Sequence, residues 1–150
     1  YKTVQNMLHY AVTQQTAAEI VFNRADAQKP AMGLTTWKNA PKGRVIKSDV
    51  TIAKNYLSEK EIGQLERLST AFVDLAELRA EKQILMTMSD WKNQLEKYLS
   101  SFDGHILKNA GSVSHEEAET KALGEYQKFL KIQDKTLLSD FDKLIEGLKE

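Results

Sequence analysis

A chain of 150 residues that is 41% apolar and 28% charged has the make-up of one globular domain. Its 21 Lys+Arg balance its 21 Asp+Glu, which argues against a globally basic nucleic-acid binder and against an acidic mimic. It has no cysteine, which excludes disulfides, thiolate zinc sites, iron–sulfur clusters and cysteine nucleophiles, and its histidines are His9, His105 and His115. No segment approaches the ~20 apolar residues of a membrane span. Tyr1–Asn6 lacks a charged-then-apolar leader pattern, so a cytoplasmic chain with no membrane partner is expected. The absent initiator Met reads as a single domain, 1–150, excised from a longer protein.

Taken in chain order, Val4, Met7, Leu8, Ala11 and Val12 follow the spacing of one helix face. Thr16-Ala-Ala-Glu19 then marks the start of a second helix: a hydroxyl can accept from a free N–H of the first turn, and the acid three residues on can reach back. The same signature occurs at Ser58–Glu61, Thr87–Asp90, Ser114–Glu117 and Ser139–Asp142. Ile62, Leu65, Leu68, Phe72, Leu75 and Ala76 predict a helix from about 59 to 82. Trp91, Leu95, Tyr98, Leu99 and Phe102 predict another from about 88 to 102. Ala118, Ala122, Tyr126, Phe129 and Leu130 mark a long helix after Ser114; Leu137, Phe141, Leu144, Ile145 and Leu148 either continue it or form a last helix broken near Ser139.

The exception is the segment from about Gln28 to Lys47. It holds both prolines, Pro30 and Pro41, together with Gly33 and Gly43, and reads as a long irregular loop. A short hairpin pairing Leu34–Trp37 with Arg44–Ile46 would fit it, and a helix carrying Val50, Ile52, Ala53, Tyr56 and Leu57 is expected to start near Ser48-Asp49. The predicted fold is therefore all-α: a bundle of about five to six helices with this loop between the second and third. Charge follows the same division. Arg24 to Tyr56 carries seven cations against two carboxylates, a net +5, which leaves the remainder at −5.

Several long stretches carry a resemblance. Gln5–Ala11, Thr16–Ile20, Asn23–Asp26, Met32–Lys38, Lys47–Leu57, Met86–Trp91 and Ala110–Glu116 together resemble the C-terminal half of the RhuM family of bacterial virulence-associated proteins, over about Val4 to Leu130. The resemblance implies a longer protein whose N-terminal part looks like a DNA-binding or phage-antirepressor module, and an association with DNA. It carries over no catalytic residue.

Enzyme signatures are sparse. There is no glycine-rich phosphate loop, no H-E-x-x-H, no G-x-S-x-G and no His-Pro-Phe…Gly-Asn-Gly signature of Fic-type AMP transferases. No residue set implies a metal or a cofactor. Asp74, Glu77 and Glu81 share a helix face without a Glu-x-x-His partner and read as a solvated face. A candidate polar site gathers His9, Glu19, Arg24, Asp26, Asp49 and His115. Glu19, Asn23 and Asp26 share a face of the second helix, and His115 stands at a helix start. A candidate contact surface gathers Lys38, Lys42, Arg44 and Lys47, which lie within ten residues and have no acid between them, beside Trp37. Trp37 either stacks on a base or anchors the loop; the cations either pair across the fold or meet an anionic partner.

The preferred reading is a non-catalytic interaction or oligomerisation module, its partners being DNA through the full-length protein, a second copy or another protein. The alternatives are an enzyme built on the polar site and a module acting on a host protein.

Overall fold

The computed structural model describes residues 2–101 and 111–149. Five α-helices occur there, α1 (Lys2–Thr13), α2 (Ala17–Arg24), α3 (Glu59–Glu81), α4 (Met88–Ser100) and α5 (His115–Lys149), and there is no strand among the described residues. The all-α expectation holds. Phe102, His105 and the start of the Ala110–Glu116 motif lie outside the described residues.

Four of the five predicted helix starts are real. Thr16, Ser58 and Thr87 each accept from the backbone N–H three residues on, and the acid there accepts from the cap's own N–H. Ser114 accepts from Glu117 N at 3.0 Å. The fifth, Ser139, lies inside α5, which runs unbroken from His115 to Lys149. A hydroxyl-x-x-acid pattern ends nothing by itself, and the apolar periodicity carries through it.

The expected helix from Ser48 is replaced by two 3-10 turns, Lys47–Asp49 and Ala53–Tyr56. Side chains have taken the carbonyls a helix would use. Asn55 Nδ2 donates to Asp49 O at 3.0 Å, and the buried Tyr56 hydroxyl donates to Val50 O at 2.6 Å. The run Val50-Thr51-Ile52 is also β-branched, a poor helix former. The hairpin does not form either. Thr35 N instead donates to Asn55 O at 2.7 Å, and Val45 turns its backbone toward α5.

One contiguous core joins the helices to the connection. Met7, Leu8, Ile20, Val21, Leu65, Leu95, Leu99, Ala122, Tyr126 and Phe129 come from the helices; Met32, Leu34, Val45, Val50, Tyr56 and Leu57 come from between α2 and α3. The connection is therefore part of the core. Helix α2 packs chiefly on α5 and on the Ala53–Tyr56 turn, and α1 lies against α3, α2 and α4. Phe72 of α3 meets Trp91 of α4 edge to face, with ring centroids 5.9 Å apart.

After α2 the chain turns through three residues at positive φ: Ala31 (50°), Met32 (48°) and Gly33 (91°). This turn buries Met32 completely and lets Asp26 N donate to Met32 O at 3.1 Å. Glycine is required at its end, because a Cβ on Gly33 would lie 2.2 Å from Arg24 O. Gly33→Ala should cost about 2–3 kcal/mol in chemical denaturation. Gly124→Ala, inside α5 with nothing near the added Cβ, should instead gain roughly 0.5–1 kcal/mol.

Candidate functional site

The loop that carries the basic cluster is clamped at several points. Asp49 is 4% exposed. One of its oxygens accepts from Lys38 N at 3.1 Å and the other from Ile46 N at 2.9 Å, so a single carboxylate holds both shoulders of the loop. Trp37 Nε1 donates to Gly43 O at 2.9 Å across the tip, while the half-buried ring packs against the core. Trp37 anchors the loop.

The far side of the loop is fixed to α5. Buried Gln133 accepts from Val45 N through Oε1 at 2.8 Å and donates from Nε2 to Val45 O at 3.1 Å. One amide side chain thus satisfies both backbone groups of Val45, as a neighbouring strand would. Tyr126 Oη adds a longer bond to Val45 O, and Arg44 pairs with Asp134 one residue beyond Gln133. Gln133 was missed in the sequence. Its signal is a polar residue at a position where the stripe Tyr126, Phe129, Leu130, Leu137 calls for an apolar one.

These clamps settle the local electrostatics. Arg44 pairs with Asp134. Lys38, Lys42 and Lys47 are exposed, and none has an ion-pair partner among the described residues.

The members of the candidate polar site are separately engaged. Arg24 makes a two-pronged pair with Glu61, Nη1 to Oε1 at 2.7 Å and Nη2 to Oε2 at 2.9 Å, and Nη1 also donates to Tyr56 O. The hydrogen-bonded Arg24 guanidinium, helped by the Ser58 cap, holds the Glu61 carboxyl at about 2. Glu19 serves the Thr16 cap and accepts from Ser112 Oγ at 3.0 Å. Burial pushes its pKa up, and the bonds from Thr16 and Ser112 outweigh that and lower it. Asp26 accepts from Gln28 N at 2.9 Å, a local turn bond. His115 is exposed, with Nε2 3.6 Å from Glu119 on the next turn.

His9 is the exception. Its ring is nine-tenths buried; Nδ1 bonds Gln5 O at 2.8 Å and Nε2 has no partner. It borders a cleft of about 610 Å³ between α1, α3 and the Ile52–Lys54 backbone, with Glu66, Ser69 and Thr70 opposite. Arg24, Asp26 and Asp49 do not line that cleft, and His115 lines a different one of about 410 Å³ beside Thr16 and Ala17. The described residues hold no group of three His, Asp or Glu placed to bind a metal ion. No helix among them is long and apolar enough to cross a membrane.

Lys121 was also missed. From α5 it donates to Phe22 O at 2.7 Å and Ala25 O at 2.9 Å, with its ammonium 5.2 Å from the Phe22 ring centroid. It neutralises the C-terminal carbonyls of α2, and so ties α2 to α5.

The family model for the virulence protein RhuM family matches residues 1–137. The chain belongs to the RhuM family. No curated protein and no solved structure matches it. The family match takes in the whole basic loop and its Gln133 and Asp134 supports, and ends where α5 passes beyond them.

Two measurements check these assignments. Asp49→Ala orphans two backbone donors and should cost about 2–3 kcal/mol, with the Lys38 and Ile46 amides losing hydrogen-exchange protection first. The Glu61 carboxyl is lowered on folding, so its contribution is complete above its ordinary range near 4.5 and is lost as pH falls toward about 2. Acid titration of stability should therefore be steeper between those values in the parent than in Glu61→Gln.

Proposed function

We propose that this RhuM-family chain is a non-catalytic interaction module that offers its clamped basic loop to the phosphates of nucleic acid. The observation that carries this reading is the state of Lys38, Lys42 and Lys47: exposed, without ion-pair partners among the described residues, and borne on a loop held by Asp49, Trp37 and Gln133. A loop already ordered loses little conformational freedom on binding, so its charges act together. Lysine suits this role as a point charge on a flexible stem that reads phosphate without reading base sequence. Arg44 is drawn toward Asp134, and Trp37 positions the loop.

The engaged state of Glu19, Arg24, Asp26 and Asp49 favours this reading over a catalytic one. General acid–base chemistry needs titratable groups that converge within hydrogen-bond reach of a substrate, and these four spend their polar atoms on caps, turns, backbone and the Arg24–Glu61 ion pair.

The test is a titration of duplex DNA at several salt concentrations. Each phosphate contact contributes a log–log slope of about −0.9, so replacing Lys38, Lys42 and Lys47 by Ala should flatten the slope by roughly 2–3 and leave the helical circular dichroism unchanged. An unchanged slope, or no binding by the parent at low salt, overturns the nucleic-acid reading.

A further inference from the structure

Among the described residues, the last side chains of α5 tied to the body are Gln133 and Asp134, through Val45 and Arg44. The helix nevertheless continues to Lys149. At 1.5 Å per residue this is an extension of roughly 20 Å. It is not polar all round. Leu137, Leu138, Phe141, Leu144 and Leu148 are 37–81% exposed, and Ile145 is partly so. A helical stretch of about four turns draws its stability from a packed face, and among the described residues nothing covers the apolar face of this one.

We infer that this stripe is the seam of a two-fold homodimer, in which the α5 extension of one chain packs against that of a second copy. Three observations favour a second copy. Leu137, Phe141, Leu144 and Leu148 are spaced 4, 3 and 4 residues apart, which is the repeat of a two-helix seam. Such a stripe complements itself, because a two-fold interface uses the same patch on both chains. Lys135, Lys143 and Lys149 nearly balance Asp140, Asp142, Glu146 and Glu150, so two extensions approach with little net repulsion.

The area agrees. Five large apolar side chains at these exposures bare on the order of 500 Å², the size of the largest patch tolerated on a monomer. Two facing copies would bury on the order of 1,000 Å², the lower bound for a biological interface and the range of weak, reversible ones. The expected dimer is therefore concentration-dependent. The inference names a partner for the proposed interaction module at a surface separate from its basic loop.

The parent chain should sediment at twice 17.0 kDa at high concentration and shift toward 17.0 kDa on dilution. Phe141→Glu with Leu144→Glu should hold it at the monomer mass with its thermal unfolding intact, since both side chains are exposed and lie beyond the body. The chain has no cysteine, so Phe141→Cys gives a single attachment point, and a short bis-maleimide should link it into dimers. Leu85→Cys, 97% exposed before α4, should remain unlinked. A parent that stays at the monomer mass at every concentration overturns the inference. So does a dimer that survives the Glu pair and is lost instead in Leu85→Glu with Met88→Glu. DNA titration of the monomeric variant keeps the two proposals apart: binding retained there leaves the basic-loop reading standing whatever the state of α5.

Discussion

The pair between Arg24 and Glu61 closes the base of the whole connection from Ala25 to Ser58. It joins the last residue of α2 to the first turn of α3 across 37 positions of sequence. Each partner does a second job. Arg24 also holds Tyr56 O, and its own carbonyl sits where only a glycine can pass, at Gly33. Glu61 also completes the Ser58 cap, so the residue that starts α3 is the one that receives α2. The geometry is two-pronged and partly shielded, the arrangement in which an ion pair fixes orientation as well as distance. Ordering a long connection is entropically costly, and here its two ends are held together by one two-pronged ion pair.

With its base closed, the connection behaves as a small lobe of the core. Met32, Val45, Val50, Tyr56 and Leu57 point inward, and the backbone between them is satisfied by tight turns and by side chains in place of a sheet. Asp49 and Gln133 show how this is done. A carboxylate, which only accepts, takes two N–H groups; an amide, which donates and accepts, takes one N–H and one C=O. Because the apolar side chains of the loop face inward and the backbone is satisfied from within, the lysines are left outward. The basic surface follows from how the lobe is packed.

Much of this was legible in the sequence. The apolar stripes and hydroxyl-x-x-acid signatures gave the five helices, because caps and periodicity are local and strong. The basic segment and its length were also visible. What failed was each reading that depended on a distant partner. Val50–Leu57 has helical spacing, yet Asn55 and Tyr56 take the carbonyls that a helix needs. The buried carboxylate of Asp49 serves Lys38 N eleven residues away, a contact no local pattern shows. Gln133 reaches Val45 across 88 positions, a pairing that no local pattern encodes. Ser139 failed for the opposite reason: its signature is genuine, but the surrounding helix had no cause to stop.

Helix α5 therefore divides by what it touches. From Ala118 to Gln133 its inner face is core and the backstop of the basic loop; beyond Asp134 its apolar face is bare. The boundary falls where Arg44 meets Asp134, one residue after Gln133, so the loop and the extension are anchored within a single turn of the same helix. If two extensions pair, each dimer presents two basic loops whose separation is set by one continuous helix per chain. A second loop then binds the same polyanion as an intramolecular step, at an effective concentration fixed by that geometry, and overall affinity can exceed that of one loop by 10²–10⁴ where both sites can be reached at once. On the proposed reading, three lysines on a single copy would make a weak and salt-sensitive contact, and paired copies would convert it into a stable one without a new residue at the interface.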